Sequence, residues 1–108
     1  METIVHRKLV RDRIPEIIRN AGGEPVCRAL SHAERREALR NKLCEEAEEF
    51  RQSGEMEELA DMLEVLLAIL NEENWPWEAL EKERAEKCRA RGGFAEGIWL
   101  EEVRKEKT

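Results

Sequence analysis

Along most of this chain the apolar residues recur at three- and four-residue spacing, the period of a helix that buries one face. Four helices are predicted. A lead of mixed apolar and basic residues (Ile4, Val5, Lys8, Leu9, Val10, Arg11) reads as extended or irregular. Asp12 then caps a short helix with Pro15 in its first turn, where a missing N–H costs little, and Gly22 and Gly23 end it. Glu24 to Leu30 reads as a strand-like connection. Ser31-His32-Ala33-Glu34 is a capping box, so a second helix starts there and runs to about Ser53, with Gly54 as the break. A third covers Glu55 to about Asn71, and a fourth runs from Pro76 to about Arg91, closed by Gly92 and Gly93. Ile98-Trp99-Leu100 reads as a short extended piece packed back on the body.

The two long helices carry different patterns. On a wheel of about 100° per residue, Leu39, Leu43, Ala47 and Phe50 form one stripe of the second helix. Glu46 falls against the edge of that stripe, with Lys42 and Glu49 beyond it on the same side. Glu45 lies farther round, and Glu48 points to water. In the third helix Leu63, Leu66 and Leu70 cluster within about 40° of Leu59. Met62, Val65, Ala68 and Ile69 fill much of the remaining circumference. A helix apolar nearly all round is buried on more than one side. Glu58 and Asp61 nevertheless sit among those apolar residues.

Composition narrows the class. The chain has 108 residues, enough for one small domain, with 41% hydrophobic and 41% charged residues. Glu occurs 23 times and Asp only at Asp12 and Asp61, a bias toward strong helix formers. A net charge of −6 with 5% aromatics and no Tyr argues against a nucleic-acid binder. The longest apolar stretch, Met62 to Leu70, contains Glu64 and is far short of the ~20 residues that span a bilayer. Cys27, Cys44 and Cys88 are an odd number without CxxC spacing, which suits reduced thiols in the cytoplasm and no zinc site. The expectation is an all-α antiparallel helical bundle, one domain over residues 1–108. A lone chain this short cannot surround the third helix, so the bundle is expected to be completed by dimerisation, with a tetramer as the larger alternative.

Four carboxylates against apolar faces pose an electrostatic problem. An ionised carboxylate taken out of water without compensation costs several kcal/mol, so such a cluster must be paired, protonated or bound to a cation. Lys42 can neutralise one charge, but not four. Two acid pairs, Glu46 with Glu49 and Glu58 with Asp61, on consecutive antiparallel helices offer converging hard oxygens, which suit Mg²⁺ or Mn²⁺. The cluster contains no His, which disfavours zinc or a di-iron centre. His6 and His32 read as surface residues. Trp75 and Trp77 read as covers for the end of the bundle or a subunit contact, with base stacking as a second role.

Lys42-Leu43-Cys44-Glu45-Glu46-Ala47-Glu48-Glu49 followed by Glu58-Leu59-Ala60-Asp61 resembles the ExxE…ExxD signature of the all-α nucleoside triphosphate pyrophosphohydrolases. That superfamily includes the MazG proteins and phosphoribosyl-ATP pyrophosphohydrolase. The lead Lys8-Leu9-Val10-Arg11-Asp12-Arg13-Ile14-Pro15 and the closing Arg91-Gly92-Gly93-Phe94 look like a small single-domain branch related to the latter. The resemblance implies a dimeric helical bundle that cleaves nucleotides between the α- and β-phosphates, with Mg²⁺ held by Glu46, Glu49, Glu58 and Asp61. It also implies that Glu45 orients or deprotonates the attacking water. Two departures from the pattern are visible. Eight residues separate Glu49 from Glu58, a minimal connection that could trim the pocket. Cys44 stands where relatives often carry Gly or an aliphatic residue, as a small apolar filler.

A polyphosphate approaching acidic residues needs bridging cations first and basic side chains for its outer phosphates. Lys8, Arg11 and Arg13 from the lead, Lys42, Lys87 and Arg91 are the candidates. The leading expectation is a nucleotide pyrophosphohydrolase that clears aberrant or surplus nucleotides. Its rivals are the phosphoribosyl-ATP reaction of histidine biosynthesis and a non-enzymatic helical dimer or regulator that retains the acids.

Overall fold

A computed structural model describes residues 2–107. Among them are four α-helices and no strand: α1 Ile14–Asn20, α2 His32–Ser53, α3 Met56–Glu73 and α4 Trp77–Arg91. The chain divides into two compact units, one ending at Trp77 and one beginning at Glu78.

In the first unit, the start of α2 has a clear local cause. The Ser31 hydroxyl accepts from the Glu34 N–H at 3.2 Å, and the Ser31 N–H donates to Glu34 Oε1 at 3.0 Å, so two N–H groups at the helix start are satisfied reciprocally. Arg28 reinforces the box by donating to both Glu34 oxygens, at 3.2 and 2.9 Å. Gly54 ends α2 with φ +66°, a left-handed conformation that glycine adopts without a Cβ clash. One residue later the chain enters α3, which closes on Asn74, also left-handed at φ +58°.

The tight turn folds α3 back along α2. His32 Nδ1 lies 2.6 Å from Glu72 Oε1, Arg35 Nε donates to the same oxygen at 3.0 Å, and Arg36 pairs with Glu73. The start of one helix therefore meets the end of the other, so the pair runs antiparallel. Leu39 on α2 and Val65 and Leu70 on α3 are the buried apolar residues, flanked by half-buried Leu43, Ala47, Phe50, Met62, Leu66 and Ile69. α2 presents its expected stripe to this seam, whereas α3 presents Met62, Val65, Leu66, Ile69 and Leu70, and the expected cluster of Leu59 and Leu63 with Leu66 and Leu70 is split. Along the rest of α3, Leu59 and Leu63 remain 46% exposed and Leu67 42% exposed.

Several local expectations are corrected. Arg13, not Asp12, occupies the cap position of α1, and its side chain makes no capping bond, although Pro15 does fall in the first turn. Residues 24–30 have no regular structure, because no strand lies alongside to satisfy their backbone groups. Cys44 is exposed and fills no core space, since it lies away from the Leu39–Leu43 side of the helix. In the second unit, α4 carries Arg89 and Arg91 in its last turn, where positive charge favours the helix end. Beyond it Ile98, Trp99 and Leu100 are irregular and 81%, 83% and 72% exposed, not packed against a surface.

The capping box gives a pH-dependent prediction. The hydrogen bonds from Arg28, then those with the Ser31 backbone and hydroxyl, hold the Glu34 carboxylate at about 2 against an ordinary 4.5. A depressed carboxylate stabilises the fold above its unfolded pKa, and that contribution is lost as pH falls through the folded value. Glu34→Ala is therefore expected to lower the urea midpoint at neutral pH, with a gap to wild type that shrinks between pH 4.5 and about 2. A gap independent of pH would show that the charge is not what holds the cap.

Candidate metal centre

Helix geometry places Glu45, Glu46 and Glu49 on adjoining positions of α2, and one carboxylate oxygen from each lies within 4.8 Å of the other two. Glu46 is the unusual member. Its side chain is 9% exposed, whereas Glu45 and Glu49 are open to solvent. Lys42 Nζ stands 3.4 Å from an oxygen of both Glu45 and Glu46, one cation shared by two carboxylates. The second Glu46 oxygen, Oε2, is buried without a hydrogen-bond partner.

Glu58 has the same defect on the facing helix: its Oε2 is also buried and unpartnered. These two are the buried unpartnered side-chain atoms among the described residues, in a chain with 23 glutamates. Buried polar groups are nearly always satisfied, so their coincidence in one acid-rich stretch needs a physical reason. Carried back from the ion pairs at the open end toward the turn, the antiparallel register sets Glu46 opposite Asp61 and Glu49 opposite Glu58.

The three carboxylates on α2 also repel one another. A hydrogen bond shared with Glu46 and the charge of that neighbour raise the Glu49 pKa above the ordinary value, helped by desolvation and by Glu45 and opposed by Lys42. The cluster thus lacks positive charge. A hard divalent cation would supply it through oxygen ligands, and this donor set fits such an ion.

The candidate residues do not all converge. Among the described residues, the group close enough to share an ion is Glu45, Glu46 and Glu49, which includes Glu45 and leaves out Glu58 and Asp61. Asp61 is engaged elsewhere: Arg11 Nη2 donates to its Oδ1 at 2.7 Å. Arg11 is thus brought to an acidic residue, and Lys42 to two. Lys8 is exposed in the lead. Lys87 and Arg91 are exposed on α4 in the other unit.

The pairing of His32, Arg35 and Arg36 with Glu72 and Glu73 had no foreshadowing motif. It depends on the α2–α3 register, and its only sequence signal is opposite charge at the far ends of the two helices. Beside it, Trp75 joins Leu39, Ile69, Arg36 and Arg40 around a shallow hollow. Trp75 and Trp77 are 57% and 45% exposed.

Comparison with known proteins adds little to this geometry. No family model matches the chain, and no solved structure matches it. A protein of Mycolicibacterium smegmatis described as an "Uncharacterized protein" is 57% identical over 44 residues, 41% of this chain. The matching stretch spans 45% of that relative's own length.

Proposed function

We propose that this chain is a Mg²⁺-dependent nucleoside triphosphate pyrophosphohydrolase that releases a nucleoside monophosphate and pyrophosphate. The observation that supports the reading most is the pair of buried, unpartnered carboxylate oxygens on facing helices, Glu46 Oε2 and Glu58 Oε2. They belong to the same acids that the resemblance assigns to metal binding. Glu46 and Glu49 would hold the ion from α2, and Glu58 and Asp61, which stand outside the group of acids already in reach of one ion, would join them from α3. Bound there, Mg²⁺ or Mn²⁺ supplies charge stabilisation for phosphoryl oxygens and a more acidic water. Glu45, exposed next to Glu46, is the residue we assign to orienting or deprotonating an attacking water. Lys42 neutralises part of the acid charge and, with Lys8 and Arg11, is a candidate contact for the remaining phosphates. The substrate is a small nucleotide rather than a nucleic-acid polymer, and the setting is cytoplasmic.

The bundle is completed by a second copy. Leu59, Leu63 and Leu67 repeat at helical spacing on α3 and stay open to solvent, and Met56 is 81% exposed one turn earlier. An apolar row of this kind is costly to leave in water. A twofold pairing through α3 would cover it and bring two acid sites into one assembly.

Three outcomes check this reading. Pyrophosphate release from a panel of ribo- and deoxynucleoside triphosphates and phosphoribosyl-ATP should require Mg²⁺ or Mn²⁺, stop with EDTA, and fall at least ~100-fold in Glu58→Gln, the scale of losing a main electrostatic contributor. Absence of release from every substrate by folded, metal-loaded protein would exclude the activity on this panel.

Metal-free Glu46→Gln should melt a few degrees above wild type, because it removes one of three mutually repelling carboxylates that share a single lysine, an effect on the order of 1 kcal/mol. The same variant should lose the rise in Tm that Mn²⁺ gives the wild type. A lower metal-free Tm would show that Lys42 already satisfies Glu46. In sedimentation experiments the wild type should run as a dimer and Leu63→Glu as a monomer; a monomeric wild type would remove the second copy from the proposal.

A further inference from the structure

Arg11 reaches the acid-bearing helix from a segment far away in sequence. It lies in the irregular lead, and its side chain crosses to α3, where Nη2 meets Asp61 Oδ1 at 2.7 Å. The backbone beneath it is anchored, since the Arg11 carbonyl accepts from the N–H of Ile14 at the start of α1 at 3.0 Å. Lead and first helix therefore hold a guanidinium against the acid opposite Glu46. The pair is not deeply buried: the side chains are 58% and 32% exposed. An ion pair this open to water is weak and can be exchanged for a stronger partner.

The geometry points to Arg11 as an internal counter-cation of the acid site: it occupies Asp61 until a divalent metal ion displaces it, so metal loading releases the lead segment from α3. This rests on the reading of Asp61 as a metal ligand. The chemistry is competition between two cations for one carboxylate. Arg11 draws on the charge of Asp61 through Oδ1 at 2.7 Å, and its own positive charge repels a metal ion approaching the same carboxylate. Glu46 and Glu58 keep their unpartnered oxygens while Arg11 stays with Asp61, so the fixed cation quenches only one of the facing acids. Release of Arg11 also frees a bidentate donor beside the metal, the residue type suited to phosphate oxygens.

A competitor and a structural support give opposite signs when removed. Mn²⁺ is titrated calorimetrically, without nucleotide, into wild type, Arg11→Gln and Lys8→Gln, the last removing the same charge from the same segment. Arg11→Gln is expected to bind Mn²⁺ roughly three- to fivefold tighter, the scale of one exposed ion pair, while Lys8→Gln stays within about twofold of wild type. Hydrogen exchange provides the second readout. Mn²⁺ should speed exchange at the Ile14 amide of the wild type, which donates to the Arg11 carbonyl, whereas Arg11→Gln should exchange fast there with or without the ion.

Equal or weaker Mn²⁺ binding by Arg11→Gln, with wild type binding normally, overturns the counter-cation while leaving the metal site standing. Equal tightening by Lys8→Gln also overturns it, because the effect would then be general electrostatics. If no variant binds Mn²⁺, both the metal site and the role of Arg11 fall.

Discussion

The seam between α2 and α3 carries the side chains that hold this hairpin together and the carboxylates that oppose it. Leu39, Val65 and Leu70 are shut away from water along it, and the flanking residues are only half-covered. Hydrophobic burial on that scale is modest, so placing Glu46 and Glu58 in the same seam is a substantial charge against it. At the open end the problem is solved locally, because His32, Arg35 and Arg36 answer Glu72 and Glu73. Toward the turn there is less compensation. Lys42 is shared between Glu45 and Glu46, and Arg11 is committed to Asp61.

That asymmetry is the strongest physical argument for a functional region. A protein selected only for a stable hairpin would place apolar residues at 46 and 58, since replacing buried charges by well-packed apolar groups is commonly neutral or stabilising. Keeping carboxylates there makes sense where a ligand supplies the missing positive charge. Metal binding and hairpin stability would then be linked, because an ion bound only by the folded seam stabilises it by mass action. The short connection through Gly54 fits the same logic: it keeps the two acid-bearing segments close in sequence and fixes their register.

Much of the fold was legible in the order of the residues. The start of α2 could be read from Ser31 and Glu34, and its end from Gly54, because capping and left-handed turns are made by neighbours in sequence. The apolar stripe from Leu39 to Phe50 was legible for the same local reason. The short pieces were not. Residues 24–30 and Ile98 to Leu100 have apolar residues compatible with extended structure, yet a strand exists only when another strand satisfies its backbone. Cys44 likewise looked like core filler from its small size, although its burial depended on which side of α2 met α3.

The sequence by itself determined the helices, the caps of α2 and the presence of acids at the edge of apolar stripes, because each depends on residues within a few positions of one another. Only the tertiary structure decided how those acids are used as partners. It grouped Glu45 with Glu46 and Glu49, left one oxygen each of Glu46 and Glu58 without a donor, and drew Asp61 to Arg11. These outcomes turn on distances of a few ångströms between groups as many as 50 residues apart. Helical periodicity fixes the angle of a side chain around its own axis, but it does not say which charge from another segment will reach that side chain first.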